Sequence, residues 1–333
     1  MQTVPSYLDL VSYKRPQGSS FQRKFCNRFL WPVFGKPDVH GNFTKIVPAY
    51  NGGHPTVAFM AHHDTVHTFG GKQNVVVNGD FFRILDENCL GADCTTGIYI
   101  ILRMIAAQVP GVYVIHASEE IGCLGSQALV KDMPEWIFNV KAAISLDRKG
   151  YEDIITHQLG MRTCSDAFAR SLAEVLNGDF KPDPTGVYTD SNEYVDFIPE
   201  CTNLSVGYFA QHTKGECQDN VFMEQLVDSM IAADWSKLVI ERVAGAIEYE
   251  YIPKKGKKVN YYLDPLDWND DYDLEDWKAY GNDNDNSLQS VIERYPEEVA
   301  SILADYGYTA MGLLDDVEDI AVKNNRPYGR MMK

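Results

Sequence analysis

The residues of this sequence best suited to chemistry are histidines and carboxylates gathered in five short clusters. They are Ala61-His62-His63-Asp64-Thr65-Val66-His67, Gly91-Ala92-Asp93-Cys94-Thr95-Thr96-Gly97, Ser118-Glu119-Glu120-Ile121-Gly122, Ser145-Leu146-Asp147-Arg148 and Phe209-Ala210-Gln211-His212-Thr213-Lys214-Gly215-Glu216. Imidazole and carboxylate are donors that divalent zinc accepts. Two histidines with three carboxylates suit a pair of metal ions that share one carboxylate bridge. In the first cluster, strand alternation puts His62 and Asp64 on one face and turns His63 away. A histidine with a carboxylate two residues on can bind a metal through one ring nitrogen and be oriented through the other. Asp93 stands near the start of a helix, where a plain N-terminal cap would also place an Asp. Glu119 and Glu120 are adjacent carboxylates after an apolar run, costly to bury unless paired, hydrogen-bonded or metal-bound. One can hold a metal while the other moves a proton. Asp147 ends another apolar run, and His212 sits in a loop. Each cluster is a common pattern alone; their succession along the chain is the signal.

The elements that must position these residues read as follows. Runs 56–61 (TVAFMA), 112–117 (VYVIHA) and 142–146 (AAISL) are short and almost wholly apolar, the pattern of strands buried on both faces. Residues 204–209 read as a further strand. Segments 95–108, 124–131, 165–176 and 221–243 read as helices. Residues 38–42 read as a turn, and 70–79, with its Gly-Gly and Asn-Gly, as loop. Residues 5–30 form an amphipathic helical region broken near Pro16-Gln17-Gly18. Strands alternating with helices predict an α/β fold with a mostly parallel, mixed central sheet flanked by helices. Open sheets of this kind place ligands beyond the carboxyl ends of their strands. The expected division is a catalytic domain over 1–250 and an acidic, partly helical appendage over 251–333, with helices near 287–305 and 309–322.

The totals narrow the function classes. A net charge of -17 over 333 residues argues against a nonspecific nucleic-acid binder, which needs basic surface. No apolar run is long enough to span a bilayer, and the opening MQTVPSYLDLVSYKRP has no basic start followed by an apolar core. The seven cysteines are odd in number and form no CxxC pair, so they read as reduced thiols and not as a disulfide framework. The expectation is a soluble cytoplasmic protein with no membrane partner, its oligomeric state left open.

The five clusters, in this order, resemble those of the co-catalytic di-zinc exopeptidases, the clan of zinc aminopeptidases, carboxypeptidases and related deacylases. The resemblance runs over about residues 5–243, and Asp38-Val39-His40-Gly41-Asn42 is similar to that clan's Asp-x-x-Gly-Asn turn. It implies the zinc exopeptidase fold, also described as phosphorylase/hydrolase-like. It also implies two Zn2+ ions, with Co2+ or Mn2+ as alternatives, and a peptide or small-amide substrate. It implies His62 and Asp147 on the first metal, Glu120 and His212 on the second, and Asp93 as the bridge. Glu119 would be the general base and Asp64 the residue orienting His62. Only 31 positions separate His62 from Asp93 and 65 separate Asp147 from His212, too few for the inserted domains of the larger branches. The compact single-domain zinc aminopeptidases are therefore the branch this chain resembles most. The stretch Thr189-Asp190-Ser191 through Phe197-Ile198-Pro199 is similar to theirs, while Glu119-Glu120-Ile121-Gly122 and His212-Thr213-Lys214-Gly215-Glu216 resemble the shell-forming branch about as well. Cys94 departs from the pattern, standing where many members carry a second Asp. The implied activity is removal of N-terminal residues from peptides. The enzyme alternative is a deacylase of N-acyl amino acids or another small-amide hydrolase; the non-enzyme alternative is a metal-free binding module on the same fold. A free N-terminal amine would need an acidic anchor near the metals, for which Asp190 and Glu216 are the candidates.

Overall fold

The apolar runs become the middle of a seven-stranded sheet. In the computed structural model, which describes residues 4–85 and 88–246, the strands are β1 (Phe43–Val47), β2 (Val57–His62), β3 (Gly111–His116), β4 (Ala142–Arg148), β5 (Asp153–Ile155), β6 (Lys181–Asp183) and β7 (Glu200–Ser205). Their order across the sheet is β6-β5-β7-β4-β2-β3-β1. The central four, β7, β4, β2 and β3, run parallel. β1 lies antiparallel to β3 at one edge, and β5 meets β7 through one antiparallel pair, Leu204 with Ile154. The sheet is thus mixed and mostly parallel, as predicted. Every residue of β2 and β3 is buried, which is what runs without alternation require. Each fully buried large apolar side chain contributes roughly 1.5–3 kcal/mol, so the cluster-bearing strands occupy the most stabilised part of the sheet.

Four helices matter here: α1 (Ala92–Ala106), α2 (Leu124–Asp132), α3 (Asp166–Leu176) and α4 (Asn220–Ala232). α1 lies on β2 and β4 and is buried along nearly its whole length. Gly97 permits that approach. A Cβ there would stand 2.4 Å from the Leu146 carbonyl oxygen and 2.9 Å from the Ala61 Cβ. A second, antiparallel sheet joins Tyr208–Phe209, Cys217–Asp219, Phe81–Ile84 and Val75–Asn78 in that order. Among the described residues no helix is long and apolar enough to cross a membrane.

Three expectations need correction. Residues 204–209 are not one strand. β7 ends at Ser205, Gly207 turns the chain at φ +88°, and Tyr208–Phe209 pair in the second sheet. The helix expected over 221–243 ends at Ala232. Ala233 is extended, and the Asp234 side chain accepts from Ser236 N to start a 3-10 turn at Trp235–Lys237, a local bond that competes with helix. The loop expected over 70–79 contains the strands Gly71–Lys72 and Val75–Asn78; its run of three valines outweighs the glycines. The appendage expected at 251–333, with its two helices, lies outside the described residues.

Candidate metal centre

The parallel strands deliver their carboxyl ends to one edge, and the clusters meet there. His62 ends β2, Asp147 is the penultimate residue of β4, and Glu119 and Glu120 follow shortly after β3. Asp93 is the second residue of α1. His212 lies on the loop between Tyr208–Phe209 and Cys217–Asp219. All six line one cavity of about 310 Å³. His63 does not: its ring is buried against Gln22 and the Gly41 carbonyl, as alternation predicts.

The side chains form two donor groups with one common member. His62, Asp93 and Cys94 offer atoms within 4.8 Å of one another, and so do Asp93, Glu120 and His212. Asp93 belongs to both, the position a bridging ligand needs. His62 Nε2 stands 3.8 Å from Asp147 Oδ1 and 3.9 Å from Glu119 Oε2. His212 Nε2 stands 2.8 Å from Asp93 Oδ2 and 3.4 Å from Glu120 Oε2. Asp64 Oδ1 faces His62 Nδ1 at 3.5 Å, a contact at the long edge of hydrogen bonding.

Several of these side chains are held from behind. Asp64 does more than face His62. Its two oxygens accept the Glu119 and Glu120 amides at 3.1 Å each, so one buried carboxylate sets both the imidazole and the turn that carries the glutamates. That turn begins at Ser118 with φ +62°, and His212 has φ +61°. Non-glycine residues in this region cost about 1 kcal/mol or more each and collect where a site needs them. Asp147 is fixed at three points. Its amide donates to Asn203 Oδ1 at 3.1 Å, its carbonyl accepts Tyr208 OH at 2.9 Å, and its Oδ2 accepts Thr189 Oγ1 at 3.1 Å.

The charges are crowded. Burial, with Asp147, Asp190 and Glu120 nearby, pushes the Glu119 carboxyl well above the usual range despite His62. Burial and Asp93 push Glu120 up to about 7. Burial also raises Asp147, against the pull of His62. Burial opposes the Asp93 charge, but the His212 hydrogen bond and the field of His62 outweigh it and hold that carboxyl low. Hydrogen bonds to Asp93 and Glu120 push His212 up to about 11. Burial disfavours a cationic His62, yet Glu119, Asp147 and Asp64 raise it. The cavity thus brings four carboxylates together against two imidazoles. One atom tests the fit independently: Glu120 Oε1 is buried without a hydrogen-bond partner, a costly arrangement unless a cation completes it. The donors present, imidazole and carboxylate, fit zinc.

Neither acidic anchor suggested by the sequence is free. Glu216 is 1% exposed and accepts the Leu90, Gly91 and Ala92 amides at 2.7–3.1 Å. It caps α1, whose own N-cap, Gly91, has no side chain to offer. Asp190 is 2% exposed, accepts Ser126 Oγ at 2.6 Å and stands 3.1 Å from His116 Nδ1. Sequence reasoning also passed over Thr189, Asn203 and the second task of Asp64. Their partners lie more than 40 residues away in the chain, so no local pattern marks them.

No protein-family model matches the sequence, and no curated protein matches it. Solved structures do. The aminopeptidase PepT of Bacillus cereus ATCC 10987 superposes with a TM-score of 0.55 at 14% identity, over 68% of this chain and 95% of its own. A tripeptidase of Staphylococcus aureus subsp. aureus Mu50 gives 0.55 at 13%, over 68% and 95%. The Pyrococcus horikoshii TET1 peptidase, which can assemble into a tetrahedron or a large octahedral shell, gives 0.52 at 14%, over 68% and 97%. These likenesses show the fold: a mixed α/β sheet flanked by helices.

Proposed function

We propose that this chain is a di-zinc metallohydrolase that cleaves a terminal peptide bond, acting as an aminopeptidase. The observation that carries the reading is the convergence of His62, Asp93, Glu120, Asp147 and His212 at the carboxyl ends of parallel strands, with Asp93 common to two donor groups. His62 and Asp147 would hold one metal, Glu120 and His212 the other, with Asp93 between them. When bound, two such ions supply Lewis acidity to the scissile carbonyl and acidify a water. The chain does the rest. Glu119 lines the cavity with its Oε2 3.9 Å from His62 Nε2, placed to take a proton from the nucleophile and give it to the leaving amine. Asp64 holds Glu119 and His62 in mutual register. All seven cysteines are free and buried, which fits the cytoplasmic setting expected for this enzyme. The test is hydrolysis of aminoacyl anilides by zinc-loaded protein before and after a strong chelator. Loss on chelation and recovery with zinc is the expected result; hydrolysis that survives full removal of metal would refute the reading.

A second reading, a deacylase of N-acyl amino acids, is favoured by one observation. Asp190 and Glu216 are committed elsewhere, and among the described residues the cavity is lined by no carboxylate beyond Asp93, Glu119, Glu120 and Asp147. An N-terminal amine would find no spare acid among them. Turnover of N-acetyl-leucine in preference to leucine anilide would select this reading.

A further inference from the structure

We propose that Lys149 reads a carboxylate on the substrate close to the scissile amide, so that this site prefers substrates bearing a negative charge at that distance. The inference rests on the hydrolase reading above and names its substrate class. The cavity wall beyond the metal ligands is basic: Arg148 and Lys149 both line it. Arg148 is already engaged. Its Nε donates to Asp153 Oδ2 at 3.0 Å, and a terminal nitrogen donates to Thr185 Oγ1 at 3.1 Å and stands 3.8 Å from Asp183. Lys149 is exposed, and its side chain has no acidic partner among the described residues.

The backbone around it is fixed. The Lys149 carbonyl accepts Ser205 Oγ at 2.8 Å, and Gly150 N donates to the Tyr208 carbonyl at 2.9 Å. The ammonium therefore extends from an anchored base, two residues past the ligand Asp147. Two extended residues span about 6–7 Å. One residue of an extended substrate advances about 3.3–3.6 Å, so a carboxylate one residue from the reacting carbonyl falls within that span. The four carboxylates of the cavity repel an anion until metal neutralises them, after which Lys149 is the cationic group left for the substrate among the described residues. The ligand chemistry has two sources: the C-terminal carboxylate of a dipeptide or acyl amino acid, or an acidic side chain on the residue being released.

The experiment compares kcat/KM of the zinc-loaded protein within two pairs. Alanyl-leucine against alanyl-leucinamide reads the terminal carboxylate, and glutamyl against glutaminyl anilide reads the side chain. The expected result is a preference of about tenfold for the charged member of one pair, carried by KM, the scale of one charge-assisted contact. Lys149→Gln brings that ratio toward one, while Lys149→Arg keeps it. Ratios near one in the unaltered protein, or a preference that persists in Lys149→Gln, overturn the inference. If chelator-sensitive hydrolysis accompanies ratios of one, the hydrolase reading stands and only the role of Lys149 falls. If none of the four is turned over, the aminopeptidase reading and the role of Lys149 both fall.

Discussion

The two halves of the proposed centre are built differently. His62 and Asp147 sit on the ends of central strands; the His62 side chain is 2% exposed, faces Asp64, and belongs to a strand buried throughout. His212 sits on a surface loop with its side chain 39% exposed. Its ring is placed by the carboxylates it faces, Asp93 and Glu120, and by a left-handed backbone. The difference teaches which ligands the fold pre-arranges. A strand-borne ligand is set by the packing of the whole sheet, so little remains to be ordered when metal arrives. A loop-borne ligand must be held at the moment of binding, and part of the binding energy is spent on that ordering. The His62 half is therefore expected to bind metal more tightly and the His212 half to exchange it more readily.

Substitutions can break or sharpen this contrast. The largest effect is expected at Glu119, which the proposed mechanism makes the general base and not a metal ligand. Glu119→Ala should lower kcat by roughly 10²–10⁴-fold, the usual worth of a positioned general base, with metal content by elemental analysis unchanged. An unaltered kcat would remove Glu119 from the mechanism. Next comes His62→Ala, which removes a ligand and leaves buried carboxylates unpaired. It should lose the tighter metal and cost about 2–4 kcal/mol of stability in denaturant unfolding. His212→Ala should keep the tighter metal; because it also unpairs the buried Asp93 and the Glu120 carboxylate, it should cost about 1–3 kcal/mol of stability, and the metal that is lost is what separates the two variants. Equal losses of metal in both variants would show that the halves are not distinct. Asp64→Asn should weaken metal binding by about 10–100-fold through misplacement of His62 and of the Glu119–Glu120 turn, read by zinc competition with a chromophoric chelator. Thr189→Val is the smallest. Losing one hydroxyl hydrogen bond to Asp147 should cost about 1 kcal/mol or less of stability, read from the thermal midpoint.

The same contrast explains what could be read from the sequence. The strand-borne candidates were legible because β2, β3 and β4 announce themselves as apolar runs, and the polar residue that ends such a run marks the edge beyond which open sheets place ligands. The alternation of those runs with helices then indicated the fold class. The loop side was less legible. The pattern Leu204-Ser205-Val206-Gly207-Tyr208-Phe209 continues smoothly through a change of sheet, because the switch depends on pairing with Cys217–Asp219, which lies beyond the run itself. Glu216 read as a possible substrate anchor because its type and its place near His212 were suggestive. Only the packed structure shows its carboxylate spent on three amides at the start of α1, more than a hundred residues earlier. The second task of Asp64 was hidden for a related reason: it follows from β2 and β3 lying side by side in parallel.

The central claim is that two metals share Asp93 between a strand-borne and a loop-borne half. Calorimetric titration of zinc into chelator-stripped protein tests it most directly. The account predicts two binding events per chain, a tight one followed by a weaker one, with His212→Ala abolishing only the weaker. A single event in the unaltered chain, or loss of both events in His212→Ala, would contradict it.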